Sequence, residues 1–241
     1  PITIPNLKEK PVLSINRNFS APIVLHFDQH ETELLTLVKK DDDAFNRWEA
    51  IQKLYIRSIL SNTILDTPVI EALRELLLDP SLDPAFKDLI FTLPAESYLY
   101  EQVSVIDPQM IHLARRQVRE QLATSLIQEW TSTFHSHQTP GAYQANAIST
   151  GRRALKNLAL QMLLSAQASQ AQSWAYEQYQ SANNMTDRYG ALASLVNFAA
   201  PQAKDCLADF HDRFANDALV IDKWFTLQAT RQEDLSNTHP V

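Results

Sequence analysis

The 241-residue chain contains three glycines, Gly141, Gly151 and Gly190, and a single cysteine, Cys206. Three scattered glycines exclude a glycine-rich phosphate loop, which needs several within a few residues. They also argue against a β-rich domain, whose turns draw on glycine for left-handed backbone. One cysteine excludes an intramolecular disulfide and a cysteine-based zinc cage, and it fits a reducing compartment. No apolar run approaches membrane-spanning length, and the N-terminus has no signal-peptide pattern. No membrane partner and a cytoplasmic location are therefore expected. An excess of basic charge is also missing. Twenty-one Lys and Arg against 28 Asp and Glu give a net charge of −7, which argues against a general nucleic-acid binder. The nearest basic cluster, Arg152-Arg153 with Lys156, reads as a solvated helix face.

What is present is apolar periodicity. Hydrophobic residues make up 45 % of the chain, enough for a core in one large domain or two small ones. Residues 1–27 carry Pro1, Pro5, Pro11 and Pro22 among Ile2/Ile4, Val12/Leu13 and Ile23-Val24-Leu25-His26-Phe27. Proline interrupts helices but is tolerated at strand ends, so one or two short strands are expected here. From about Glu31 the pattern is helical. Phe45, Trp48, Ile51, Tyr55 and Ile59 recur every three or four residues and share a face. Thr67-Pro68, Asp83-Pro84 and Asp107-Pro108 each pair a capping side chain with a proline in the first turn. Val118, Leu122, Leu126, Trp130 and Phe134 step by four, predicting one long helix that stops near His135–His137. Further helices are expected over roughly 150–166, 169–181, 186–198, 202–215 and 218–229. The expected fold is mainly α: an irregular antiparallel helical array of α-solenoid, armadillo/HEAT-like character with a short N-terminal β segment. Residues 1–28 read as the end of a β-sandwich domain or a linker, and 29–241 as a C-terminal α-helical domain.

Few constellations carry chemistry. His30-Glu31-Thr32-Glu33-Leu34 has the start of a zincin motif, which needs a second histidine one turn on to ligate zinc beside the glutamate base. Leu34 stands in that position and cannot ligate. His135 and His137 have no evident third ligand, and catalytic zinc sites need three; they read as a polar helix end, favoured by the dipole. Asp41-Asp42-Asp43 lacks the spacing of a calcium loop and reads as the acidic start of the next helix. Trp130, Trp174 and Trp224 read as core packing, with either Trp224 or Phe225 facing inward and Lys223 outward. No catalytic, cofactor-binding or metal-ligating residue is assigned.

Several strings nonetheless resemble one family. Lys10-Pro11-Val12-Leu13-Ser14-Ile15-Asn16-Arg17-Asn18-Phe19-Ser20-Ala21-Pro22 is similar to the segment that closes the small β-sandwich domain of bacterial aminopeptidase N. Asn18 stands where the family commonly has glycine, a mild departure because asparagine tolerates left-handed backbone. Phe45-Asn46-Arg47-Trp48-Glu49-Ala50, Asp107-Pro108-Gln109, Gly151-Arg152-Arg153-Ala154-Leu155-Lys156-Asn157, Asn184-Met185-Thr186-Asp187 and Asp222-Lys223-Trp224-Phe225 follow in the family's order.

The resemblance implies the C-terminal region of a zinc metallopeptidase of the gluzincin aminopeptidase family, lacking the catalytic domain. Such enzymes remove N-terminal residues from peptides, with zinc held by H-E-x-x-H and a distant glutamate. Those motifs do not occur here, so zinc is expected in the parent enzyme and no cofactor in this chain. The implied partners are the catalytic domain of the same polypeptide and the parent's peptide substrates. The implied role is to cover the catalytic domain and restrict substrate access. The chain is expected to be cut short at both ends and inactive alone. The alternative is an independent helical scaffold that binds a protein or peptide in a concave groove.

Overall fold

The computed structural model describes residues 8, 10–23, 25 and 27–231. Among them lie twelve α-helices, one 3-10 turn at Arg17–Phe19 and no strand. The helical expectation therefore holds, and the N-terminal β segment does not form within the described part. Ile2, Ile4, Val24 and His26 lie outside it. The physical reason is local: a strand exists only as a member of a ladder, and no second strand is available among the described residues.

The chain falls into two compact units, Pro1–Ser125 and Leu126–Val241. The first holds α1 (Glu31–Lys40), α2 (Ala44–Leu60), α3 (Thr67–Leu78), α4 (Pro84–Phe91), α5 (Glu96–Tyr100) and α6 (Pro108–Ser125). α2 is its hub, packing on α1, α4 and α6. The face predicted from spacing is the one it buries: Ile51, Tyr55 and Ile59 are sealed from solvent, while Trp48 marks the edge of the stripe. Asp83 caps α4 through the Ala85 N–H at 2.7 Å with Pro84 at the first helical position, and Asp107 accepts from the Met110 N–H at 2.9 Å at the start of α6. The start of α3 is displaced by one residue, since Asp66 rather than Thr67 is the N-cap.

The second unit holds α7 (Ile127–Ser136), α8 (Ala147–Ser165), α9 (Ala171–Ser181), α10 (Met185–Asn197), α11 (Ala203–Phe214) and α12 (Ala218–Ala229). Each helix packs on the next, and α10 also touches α8 and α12. The long helix expected from Val118 to Phe134 is in fact two. All five stripe residues are buried, but Leu126 leaves helical geometry at φ −119°, ψ 27°. Arg74 donates to the Ser125 carbonyl at 2.7 Å, giving a helix-end carbonyl the partner it would otherwise lack. No proline or glycine signals this break, so the apolar spacing ran across it.

Scarce glycine is managed at the helix ends. After α2, α8 and α10 the backbone turns left-handed at Asn62 (φ 52°), Gln167 (φ 56°) and Ala199 (φ 48°). In each case the next N–H reaches back five residues: Thr63 to Ser58, Ala168 to Leu163 and Ala200 to Leu195, all at 2.9 Å. These are Schellman closures, which satisfy the last carbonyls of a helix and usually employ glycine.

Candidate functional site

The acidic run of the first unit is a clamp. Asp43 caps α2, accepting from the Asn46 N–H and side-chain amide, both at 2.8 Å, and from the Asn18 N–H at 2.8 Å. Burial works against its charge, but these donors together with Arg17 hold its pKa below the usual carboxylate value. Arg17 bridges Asp41 and Asp42. Asn18 sits at φ 55°, the left-handed backbone anticipated for it. The run thus anchors the 16–20 segment on α2.

The three histidines weighed in the sequence, His30, His135 and His137, lie at helix ends. His30 is the N-cap of α1, with its N–H donating to Glu33 at 2.9 Å, and Leu34 is fully buried. His135 lies edge-on to Trp174 at 4.8 Å between ring centres, and His137 Nδ1 meets the Thr133 carbonyl at 2.9 Å, at the end of α7. Among the described residues no group of three His, Cys, Asp or Glu side chains comes together to hold a metal ion.

The chief concentration of polar groups lies in the second unit. A recess of about 460 Å³ opens between Phe134, Trp174, Glu177, Asn183 and the loop at Pro140-Gly141. At its floor Lys156 on α8 pairs with Asp187 on α10 at 2.9 Å, with both side chains less than a tenth exposed. Gln178 on α9 donates to Asn157 Oδ1 at 2.7 Å and to the Asp187 carbonyl at 3.0 Å. Asn157 turns its own amide toward Asp187 Oδ1 at 3.4 Å. Three helices are thereby joined by one mesh. Asn184 accepts from the Asp187 N–H at 2.9 Å and donates to Asp187 Oδ2 at 3.0 Å, so the Asn184-Met185-Thr186-Asp187 string both starts α10 and braces the ion pair. Gly190 makes room for the mesh. A Cβ there would stand 2.9 Å from Asn157 Cγ, well inside contact distance.

One sequence expectation needs correction here. Arg153 and Lys156 do not lie on a solvated face; they are 2 % and 3 % exposed. Their spacing of three on α8 places both on its inner side, where only charge had suggested an outer one. At the other end of the unit Trp224 faces in, donating its Nε1–H to the Leu207 carbonyl at 2.9 Å, whereas Phe225 is 59 % exposed. Successive helical residues point about 100° apart, so one of the pair must turn outward. Trp130 is buried, and Trp174 stacks on Phe134 at 5.5 Å. The residues that sequence reasoning missed, Asn157, Gln178 and Asp187, had one available signal: polar residues recurring on the inner face of otherwise apolar helices.

Elsewhere, the first unit has an apolar groove of about 740 Å³ lined by Ile23, Leu25, Trp48, Leu89, Leu93 and Tyr98. No described helix is long and apolar enough to cross a membrane.

Comparison with known proteins follows the same lines. The chain is 34 % identical over 235 residues to aminopeptidase N of Haemophilus influenzae, covering 93 % of this chain and 27 % of that protein. It is 32 % identical over 229 residues to aminopeptidase N of Caulobacter vibrioides, covering 92 % of this chain and 26 % of that one. It therefore spans about a quarter of the length of these curated relatives, in their C-terminal region. Among solved structures, Legionella pneumophila aminopeptidase A in complex with aspartic acid matches with a TM-score of 0.80 over 90 % of this chain and 27 % of that one, at 24 % identity; that likeness speaks to the fold. The family model described as a domain of unknown function (DUF3458_C), ARM repeats, matches residues 31–238. The chain belongs to this ARM-repeat family, and it is homologous to the C-terminal region of aminopeptidase N.

Proposed function

We propose that this chain is the non-catalytic helical region of a zinc-dependent aminopeptidase that removes N-terminal residues from peptides in the cytoplasm. In the whole enzyme it covers the catalytic domain and restricts access, admitting short peptides and excluding folded proteins. Residues 1–28 are the end of a preceding β-sandwich domain or a linker, and 29–241 form the helical cover. The zinc and the reacting groups belong to the catalytic domain of the same polypeptide. The observation that carries this reading is the alignment of over nine-tenths of the chain with a C-terminal quarter of aminopeptidase N. Two features support it. Lys156 pairs with Asp187, and the Gln178 amide bonds to Asn157 and the Asp187 carbonyl, across α8, α9 and α10, which is the chemistry of a scaffold. The apolar groove of the first unit offers a face suited to cover by an adjoining domain.

The test has two arms. The 241-residue chain, with or without added zinc, is expected to leave an aminoacyl reporter unhydrolysed; robust hydrolysis abolished by a chelator overturns the reading. In the aminopeptidase polypeptide that carries this region, widening the cover by deletion of exposed helix residues is expected to raise turnover of long peptides relative to dipeptides. An unchanged length preference removes the access role.

A further inference from the structure

The start of α8 borders a second cleft, of about 330 Å³, whose lining includes Tyr143, Ser149, Arg152, Arg153, Asn183 and Asn184. Among the described residues its wall has two arginines and no acidic residue, in a chain of net charge −7. Arg153 is 2 % exposed, yet each partner it has among the described residues is neutral. Its two terminal nitrogens donate to the Gln144 carbonyl and the Thr150 hydroxyl, each at 3.2 Å, and its guanidinium lies over the Tyr143 ring at 4.7 Å. Its Nε–H has no partner among the described residues. Arg152 donates to the carbonyls of Ser136 at 2.7 Å and Gln138 at 3.3 Å, and its Nε–H is likewise without a partner. The other buried cation of this helix, Lys156, has a carboxylate at 2.9 Å; neither arginine has one among the described residues.

A buried guanidinium without a counter-charge is costly, and the cost falls when an anion supplies the missing charge. The same cleft lies at the positive end of a 19-residue helix. Asn146 accepts the Ser149 N–H at 2.8 Å, while the N–H groups of Ala147 and Ile148 have no partner among the described residues, as expected in a first turn. Free N–H groups at a helix start together with arginine forks are the elements of an oxyanion site.

We propose that this cleft binds a small ligand through a single oxyanion, a carboxylate or a phosphate group, held by Arg152 and the α8 N-terminus in the field of Arg153. Its volume suits a ligand of several heavy atoms. The site lies wholly within the second unit and does not depend on the enzyme reading above.

The test is a titration of the full 241-residue chain followed by amide NMR at Ala147, Ile148 and Ser149. The probes are inorganic phosphate, N-acetylglycine and its neutral analogue N-acetylglycinamide. Saturable shifts with phosphate, with N-acetylglycine or with both support the site and identify the source of the oxyanion, provided N-acetylglycinamide gives none. Arg152→Gln is expected to weaken binding at least tenfold. Ile148→Asp, at a rim position 74 % exposed, adds a negative charge at the helix start without touching the core and is expected to weaken binding likewise, with a thermal melt no lower than that of the wild type. Absence of a saturable shift with either anion overturns the proposal, and so does equal affinity in wild type and Ile148→Asp.

Discussion

The two units solve the same problem, buried polar groups in a helical stack, in different ways. In the first, buried polar side chains mostly close helix ends. Tyr55 donates to the Ile90 carbonyl at 3.2 Å, Gln52 to Thr92 at 3.1 Å and Lys87 to Leu77 at 2.7 Å, all carbonyls at or just past the C-terminal turns of α3 and α4. Arg115 takes the Pro94 carbonyl at 2.7 Å. The carbonyls at the ends of α3 and α4 have no partner inside their own helices, and the negative end of α3 favours the Lys87 ammonium. In the second unit Arg188 does the same for α9, through Tyr179 and Ala182. There, however, the centre is a mesh of side chains bonded to side chains, built on the Lys156–Asp187 pair. End-closing bonds are local and separable. A mesh of buried groups is shared, so each member depends on the others.

The sharpest way to break that contrast is to remove one member of the ion pair. Asp187→Ala leaves the Lys156 ammonium buried without its carboxylate and takes from the Asn184 side-chain amide the acceptor that braces it, while the cap bond to the backbone N–H of residue 187 remains. A loss of about 3–5 kcal/mol is expected, the range for a buried pair broken on one side. Urea denaturation should show it, with amide exchange rising first in Met185–Asn197. The double replacement Lys156→Met/Asp187→Leu removes both charges and is expected to recover much of the loss. If the double variant is as unstable as the single one, the pair is not what organises the mesh.

In the first unit the corresponding deletion should be milder. Tyr55→Phe keeps the packing and removes one hydroxyl, leaving the Ile90 carbonyl without that donor. The expected cost is about 1–2 kcal/mol, set by one unsatisfied buried carbonyl. Burial alone raises the Tyr55 pKa far above that of free tyrosine, so the hydroxyl remains a donor throughout the neutral range. A cost equal to that of Asp187→Ala would erase the distinction between the two units.

The contrast also explains what was legible in the sequence. From α8 onward the helices follow the expected spans closely, because period and capping residues are local signals: Asn146, Asn184 and Asp217 each cap the helix they precede. The buried faces follow from apolar spacing, as Ile51, Tyr55 and Ile59 illustrate. What was not legible depends on contacts between residues distant in sequence. The break at Leu126 involves Arg74, about fifty positions away. The burial of Arg153 and Lys156 rests on acceptors and a carboxylate that no local pattern announces. The recess follows the same rule, since Asn157, Gln178 and Asp187 come from three helices. The family resemblance rested on strings such as Asn184-Met185-Thr186-Asp187, and the structure gives that string a physical role as cap and brace.

The smallest expected effect concerns the helix ends and has the opposite sign. The first unit closes α2 with Asn62, a residue that accepts left-handed backbone through its short polar side chain. The second closes α8 and α10 with Gln167 and Ala199 at φ 56° and 48°, where a Cβ crowds the following carbonyl at about 1–2 kcal/mol. Ala199→Gly relieves that crowding but frees the unfolded chain, which offsets about 0.4–1 kcal/mol. A net stabilisation of about 0.5–1 kcal/mol is therefore expected, seen as a higher urea midpoint with an unchanged slope. Asn62→Gly should gain less, because the strain it relieves is smaller. Equal gains at the two positions would mean that asparagine offers no advantage at these closures, and that the two units differ in their buried polar groups alone.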